Sequence, residues 1–297
     1  MGTTVFSPAK VNLFLAVTGR RPDGYHDLVS VAAPLDFGDE LAAEIRERTA
    51  GSGEQFTLEC DHPDVPRDGS NLVLKAAATF AAVTGWTGGV HFKLTKRIPP
   101  GAGLGGGSSN AVATLRALNQ LSGGRLSETR LTEVSATLGS DCVLFLHHAP
   151  VVMRGRGERV EPLPAVAARL RGRRVLLFKP GFAISTPWAY DRMARGAPRH
   201  YLPAPEAEAR LAAWLQGAAP AEELLFNNLE EVAFAKFVAL PVLREKLRRE
   251  SGLAACMSGS GSACFALLRE DFTTAPVVAR IRECWGPAAF VQEARLA

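Results

Sequence analysis

Period-two alternation opens the chain. Between Ala9 and Val17, Val11, Leu13, Leu15 and Val17 fall on one face while Lys10 and Asn12 share the other, which predicts a strand. Residues 28–60 alternate more loosely and predict further strands, with a Gly-Ser-Gly turn at 51–53. Asn71 precedes an alanine-rich segment, Leu72 to Val83, that ends at Gly85, so the asparagine is placed to cap a helix there. Alternation returns between Val90 and Ile98, with Val90, Phe92 and Leu94 on one side. Helical spacing follows from Ala111 to Leu121 and again from Leu126 to Leu138, where it breaks at Gly139-Ser140-Asp141 before the apolar run Cys142 to Leu146.

The second half predicts a strand from Arg174 to Phe178, a helix over 205–217, and a helix opened by Asn227-Asn228 that breaks at Pro241 and resumes to Arg249. The turn Ser258 to Ser262 leads into a strand, Ala263 to Leu268, followed by a helix over 275–284 and a last strand near 289–294. Strands and helices mixed without strict alternation predict an α+β fold. The stretch 162–174 carries Pro, Ala and Arg without a period, and a boundary there gives two domains, 1–162 and 163–297.

Composition narrows the function classes. A chain of 297 residues with 47% hydrophobic and 22% charged content is globular rather than disordered. A net charge of +4 is too mild to argue for nucleic acid, and the basic run Arg169 to Arg174 reads as a solvated turn. Five cysteines, odd in number and without Cys-x-x-Cys, argue for a reducing, cytoplasmic setting and against a disulfide framework. No apolar run is long enough to span a membrane.

The densest chemical signal is Pro99-Pro100-Gly101-Ala102-Gly103-Leu104-Gly105-Gly106-Gly107-Ser108-Ser109. It lies between a predicted strand and a predicted helix that Ser108 or Ser109 could cap. Glycines let backbone approach a ligand, and a helix start offers free N–H groups and positive potential, so the stretch predicts a cradle for a phosphate chain. Gly101 to Gly106 matches the dinucleotide string G-x-G-x-x-G, but the strand before it alternates instead of being apolar throughout. No Gly-Lys-Ser/Thr ends the loop, and neither His-Arg-Asp nor Asp-Phe-Gly occurs later, which excludes the common P-loop and the protein kinases.

Other candidates are weaker alone. Lys10 and Asn12 fit an exposed sheet face as well as a cleft. Tyr25 and His26 follow the turn Pro22-Asp23-Gly24 and could stack on a ligand or sit on a surface. Asp141 stands at the seam between a helix end and a new element, where a capping aspartate is also common. His147-His148 is a poor metal-ligand spacing.

Three blocks in order, Pro8-Ala9-Lys10-Val11-Asn12-Leu13, Pro99 through Asn110, and Met257-Ser258-Gly259-Ser260-Gly261-Ser262, resemble the GHMP kinase superfamily. Within it, Thr18 through His26, Leu138 to Asp141 and Arg154 to Glu158 resemble the branch acting on a cytidine-diphosphate-linked methylerythritol. The resemblance implies a two-domain α+β kinase, with an N-terminal domain like a ribosomal-protein domain and a ferredoxin-like C-terminal domain. It implies ATP and Mg2+ as cofactors, the metal carried on the nucleotide rather than by fixed protein ligands. The glycine loop, with Asn71 and Lys96 near the nucleotide, would bind ATP. Asp141 would accept the substrate hydroxyl's proton and Lys10 would polarise that hydroxyl. Asn12, Tyr25, His26 and Tyr190 would contact the substrate, His26 stacking on the cytosine with Tyr190 on the opposite face. It further implies a monomer or weak homodimer that binds neither nucleic acid nor membrane. One departure stands out: the family continues its aspartate with Val-Pro-Phe, whereas Cys142-Val143-Leu144 follows Asp141.

Overall fold

The computed structural model describes residues 1–46, 54–163 and 167–297. The expected turn at 51–53 lies outside the described residues. The chain forms two compact units, one built from Met1–Ala9, Phe37–Pro100 and Gly105–Leu146, the other from Lys10–Asp36, Gly101–Leu104 and His147–Ala297. Two long strands, β1 (Gly2–Arg20) and β2 (His26–Arg46), contribute residues to both.

The first unit holds the start of β1 and the end of β2 with β3 (Phe56–Cys60), α1 (Leu72–Thr84), β4 (Gly89–Thr95), α2 (Gly106–Leu121) and α3 (Glu128–Leu138). β4 pairs antiparallel with β2, Glu40 opposite Thr95 through Arg46 opposite Gly89, and parallel with β3. The predicted alternation holds: Val90, Phe92 and Leu94 are buried. Asn71 caps α1 as expected, its Oδ1 accepting from Val73 N at 2.9 Å, and Gly85 ends the helix with φ 66°. α1 packs on α2, α3 and β3. Phe80 and Phe92 are fully buried in this core, each stabilising it by about 1.5–3 kcal/mol.

The second unit carries β5 (Val151–Gly155), β6 (Arg159–Pro162), α4 (Ala167–Leu170), β7 (Arg174–Lys179), α5 (Thr186–Arg195), α6 (Ala204–Gln216), β8 (Phe226–Asn227), α7 (Leu229–Lys236), α8 (Ala239–Ser251), β9 (Ala255–Met257), β10 (Cys264–Leu268), α9 (Ala275–Trp285) and β11 (Phe290–Arg295). Leu28–Ala32 of β2 pair antiparallel with β5, which pairs with β6. Phe14 and Leu15 of β1 lie parallel to Phe226 and Asn227 of β8. An antiparallel four-stranded sheet runs β11-β7-β10-β9. The turn Ser258–Ser262 joins β9 to β10, as its glycines suggest.

Three expectations need correcting. α2 starts at Gly106, not near Ala111; glycines and serines carry no apolar period, so the spacing hides its first turn. Neither Ser108 nor Ser109 caps it. The cap position is Gly105, at φ 72°, and no side chain bonds the free N–H groups. The break between α7 and α8 falls at Phe237–Val238, ahead of Pro241. Pro241 sits inside the first turn of α8, where a missing N–H costs nothing because that group has no intrahelical acceptor.

Candidate active site

In the second unit the two polar residues of β1 come first. Lys10 and Asn12 are 3% and 4% exposed, which excludes the exposed-sheet alternative. An ammonium buried to this extent needs a partner, and Lys10 Nζ donates to Asn12 Oδ1 at 2.5 Å. Asn12 Nδ2 donates to Ser30 Oγ at 2.9 Å, and Ser30 donates on to the Phe14 carbonyl at 2.7 Å. The amide is thereby oriented with its oxygen on the lysine.

The same unit brings part of the glycine stretch to this pair. Lys10 N donates to the Leu104 carbonyl, and Ala263 N to the Ala102 carbonyl, both at 3.0 Å. Ser258 Oγ donates to the Gly103 carbonyl at 3.0 Å. A side chain on Gly259 would begin 3.3 Å from Lys10 Nζ, so the ammonium lies against that glycine. Asn227 Nδ2 donates to the carbonyls of Met257 and Gly259, at 2.7 and 2.9 Å, and holds the 258–262 turn in place. Gly101–Leu104, Lys10, Asn12 and Ser258–Gly259 thus form one cluster.

The aromatic candidates divide. The turn before Tyr25 closes through Arg21 N to the Tyr25 carbonyl (2.8 Å), with Gly24 at φ 86°. Tyr25 is 53% exposed, with the Arg156 guanidinium 4.7 Å from its ring centre. His26 is buried, its ring 4.9 Å from that of Tyr190. A base sandwiched between two rings needs them roughly 7 Å apart, twice an ordinary stacking distance. As they stand, His26 and Tyr190 touch each other instead. His26 Nε2 lies 3.1 Å from Tyr201 Oη. Burial, with Arg20 adding to it, pushes the His26 pKa below the ordinary histidine value, favouring the neutral ring.

In the first unit the remainder of the glycine stretch forms the start of α2. Its first N–H groups point along the helix axis without a capping side chain. Pro99 and Pro100 lead into the stretch half-buried. Lys96 Nζ lies beneath Gly106, 3.0 Å from where a side chain would begin there, and donates to Asp39 Oδ2 at 2.5 Å and Asn110 Oδ1 at 3.3 Å. Gly107 lies against Leu72, the residue after Asn71. Asn71 itself is occupied by its cap and by donation to the Pro66 carbonyl at 2.6 Å.

Asp141 stands in the turn between α3 and a single 3-10 turn, Val143–Leu146. Cys142 N donates to the Gly139 carbonyl at 3.1 Å. The Cys142 side chain is fully buried and hydrogen-bonded with Ser108. Burial pushes its thiol up to about 12, outweighing the Ser108 bond, which pulls the other way. Cys142 is therefore a packing thiol, and through Ser108 it ties the Asp141 turn to the first turn of α2. Among the described residues no group of three or more His, Cys, Asp or Glu could hold a metal ion.

Four residues of these networks carry no assignment from the sequence. Asn227 shows only a helix-opening signal there, while Ser30, Asp39 and Tyr201 show none, because their partners lie away from them in the chain.

The second unit buries a lysine and an amide against a glycine turn, and the first has an uncapped helix start after a glycine loop and an aspartate in the turn after α3; these are features of a small-molecule kinase of the GHMP type. Residues 71–149 match the family model for the GHMP kinases N terminal domain, and residues 210–287 that for GHMP kinases C terminal. A 4-diphosphocytidyl-2-C-methyl-D-erythritol kinase of Methylacidiphilum infernorum is 39% identical over 270 residues, covering 90% of this chain and 86% of that protein. One from a Synechococcus species is 40% identical over 281 residues, covering 90% and 88%. A crystal structure of 4-(cytidine 5'-diphospho)-2C-methyl-D-erythritol kinase superposes with a TM-score of 0.77 at 35% identity, covering 99% of this chain and 100% of that one. The chain belongs to the 4-diphosphocytidyl-2-C-methyl-D-erythritol kinase family.

Proposed function

We propose that this chain transfers the γ-phosphoryl group of ATP to the tertiary 2-hydroxyl of 4-diphosphocytidyl-2-C-methyl-D-erythritol. The products are the 2-phosphate and ADP, on the methylerythritol phosphate route to isoprenoid precursors. The observation that carries the chemistry is the buried Lys10 ammonium, oriented by Asn12 and set against Gly259, on a residue whose backbone N–H bonds to the Leu104 carbonyl of the glycine stretch. A charge held this way, at low exposure, is suited to stabilise an alkoxide as it develops.

Phosphoryl transfer to an alcohol passes through a loose transition state, so positioning and charge outweigh base strength. Asp141 accepts the hydroxyl proton and Lys10 polarises the oxygen. The backbone of Gly101–Ser109, including the uncapped start of α2, holds the phosphate chain. Pro99 and Pro100 set the entry to that loop, and Asn71 and Lys96 support the nucleotide side. Mg2+ would come with the nucleotide rather than on fixed protein ligands, and would supply neutralisation of part of the phosphate charge. Asn12, Tyr25, His26 and Tyr190 take the substrate. Tyr25, the most exposed of them, offers a ring face to the cytosine, while His26 and Tyr190 form a wall beside it. We assign the ATP-binding N-terminal domain to residues 1–162 and the C-terminal, substrate-side domain to 163–297, since the two matched family segments fall on either side of that boundary; the first also contributes Asn12, Tyr25 and His26 to the substrate.

ADP release tests this. With Mg-ATP, turnover is expected with 4-diphosphocytidyl-2-C-methyl-D-erythritol and not with homoserine or mevalonate, which lack a base for the aromatic residues. Turnover with either of the latter, and none with the cytidyl compound, would overturn the substrate assignment.

A further inference from the structure

The chain passes out of the first unit at Pro100 and returns at Gly105. Both flanks of that excursion are fastened to one carboxylate that no sequence motif marks. Asp39, within β2 and seven residues before its end, is 0% exposed. Its Oδ1 accepts from the backbone N–H groups of Arg97 and Ile98, each at 2.8 Å, on the entering flank. Its Oδ2 accepts from Lys96 Nζ at 2.5 Å and from Asn110 Nδ2 at 2.9 Å, the latter on the returning flank.

Around this carboxylate the network closes. Asn110 Nδ2 also donates to Ser7 Oγ at 2.8 Å, and Ser7 Oγ donates to Ser109 Oγ at 2.8 Å. Gly38 admits β1 at this point, since a side chain on it would begin 2.3 Å from the Ser7 carbonyl. Four donors converge on this one buried carboxylate. Hydrogen bonds to a charged acceptor are shorter and stronger than neutral ones and fix geometry rather than merely filling space. The donors satisfied here are those that set the spacing between the loop's flanks and the location of an ammonium beneath Gly106.

We propose that Asp39 is a positioning residue for the nucleotide, acting through Lys96, Asn110 and the backbone at 97–98 to hold the two flanks of the phosphate loop at a fixed separation. The inference rests on the glycine stretch being a phosphate cradle. Asp39 touches no ligand. Its net charge is balanced by Lys96, so it does not repel phosphate, and its effect is geometric.

The test compares wild type with Asp39→Asn and Ser7→Ala. Asp39→Asn keeps an acceptor for the backbone N–H groups but removes the charge holding Lys96. Ser7→Ala takes one hydroxyl from the network and leaves the carboxylate intact, so it reports even if Asp39→Asn does not fold. The expected result is a KM for ATP raised about tenfold or more in Asp39→Asn and about threefold in Ser7→Ala, with KM for the cytidyl alcohol within about twofold of wild type. Calorimetric titration with Mg-ADP is expected to show the same ranking. A purely structural carboxylate would not separate the two KM values. Variants that bind ADP as wild type does would overturn the role of Asp39 and leave the cradle standing. A wild-type protein that binds no ADP would overturn both.

Discussion

Asp141→Asn is expected to lower turnover by about 10²–10⁴-fold, the range contributed by a positioned general base. The substitution keeps the shape of the side chain and one oxygen acceptor, turns the other oxygen into an amide donor, and removes the negative charge and with it the capacity to take a proton. The backbone bond from Cys142 N to the Gly139 carbonyl and the contact of Cys142 with Ser108 do not involve the Asp141 carboxylate. The turn is therefore expected to survive, and Mg-ADP affinity to stay within about twofold of wild type, because the contacts assigned to the phosphates are backbone groups. Residual turnover would come from orientation of the two substrates, which dominates in a loose transition state. Turnover within about threefold of wild type would remove Asp141 from the chemistry.

Gly103→Ala is expected to be the most damaging small substitution in the glycine stretch. Gly103 has φ 79°, and a side chain there would begin 2.2 Å from the Ser258 carbonyl oxygen, with Gly261 N and O at 3.0 and 3.1 Å. All three neighbours are backbone, so none can swing aside. The left-handed conformation alone costs a non-glycine residue about 1–2 kcal/mol, and displacing the 258–261 backbone adds to it. A loss on the order of 3 kcal/mol in urea unfolding is expected, together with a KM for ATP raised about tenfold or more. Gly123 separates the two causes. It has a similar φ of 80°, but a methyl group there would meet nothing within 4 Å, so Gly123→Ala is expected to cost only the conformational part and leave KM unchanged. Equal losses in the two variants would show that crowding by the 258–262 turn is not what constrains Gly103.

The elements whose apolar residues follow a period are legible in the sequence. β4, α1 with its Asn71 cap, α3, β7 and α9 lie where spacing puts them. The start of α2 is hidden because a glycine-serine run has no period, and its low helix propensity is overridden by the packing of the turns that follow. Period two correctly places Lys10 and Asn12 on one face of β1. It does not say that this face is covered too, since alternation reports which side chains share a face and not what lies against them.

Site residues are legible when they sit in a compact string and illegible when their partners are remote. Asp39 meets Lys96 and Asn110 across 57 and 71 positions of sequence, and Tyr201 meets His26 across 175. Nothing local distinguishes such an aspartate or tyrosine from one on a surface. Cys142 shows the reverse case. Its neighbourhood departs from the family's usual residues after the aspartate, yet the buried thiol and its bond with Ser108 keep the turn anchored to α2.

Transfer of the phosphoryl group to the tertiary 2-hydroxyl of the cytidyl substrate is tested most directly by phosphorus NMR of the reaction with Mg-ATP. The tertiary carbon bears no hydrogen, so the new phosphomonoester resonance is expected as a singlet without three-bond coupling to a proton, appearing in step with ADP. A doublet or triplet from a carbinol proton would place the phosphate on a secondary or primary hydroxyl and contradict this assignment.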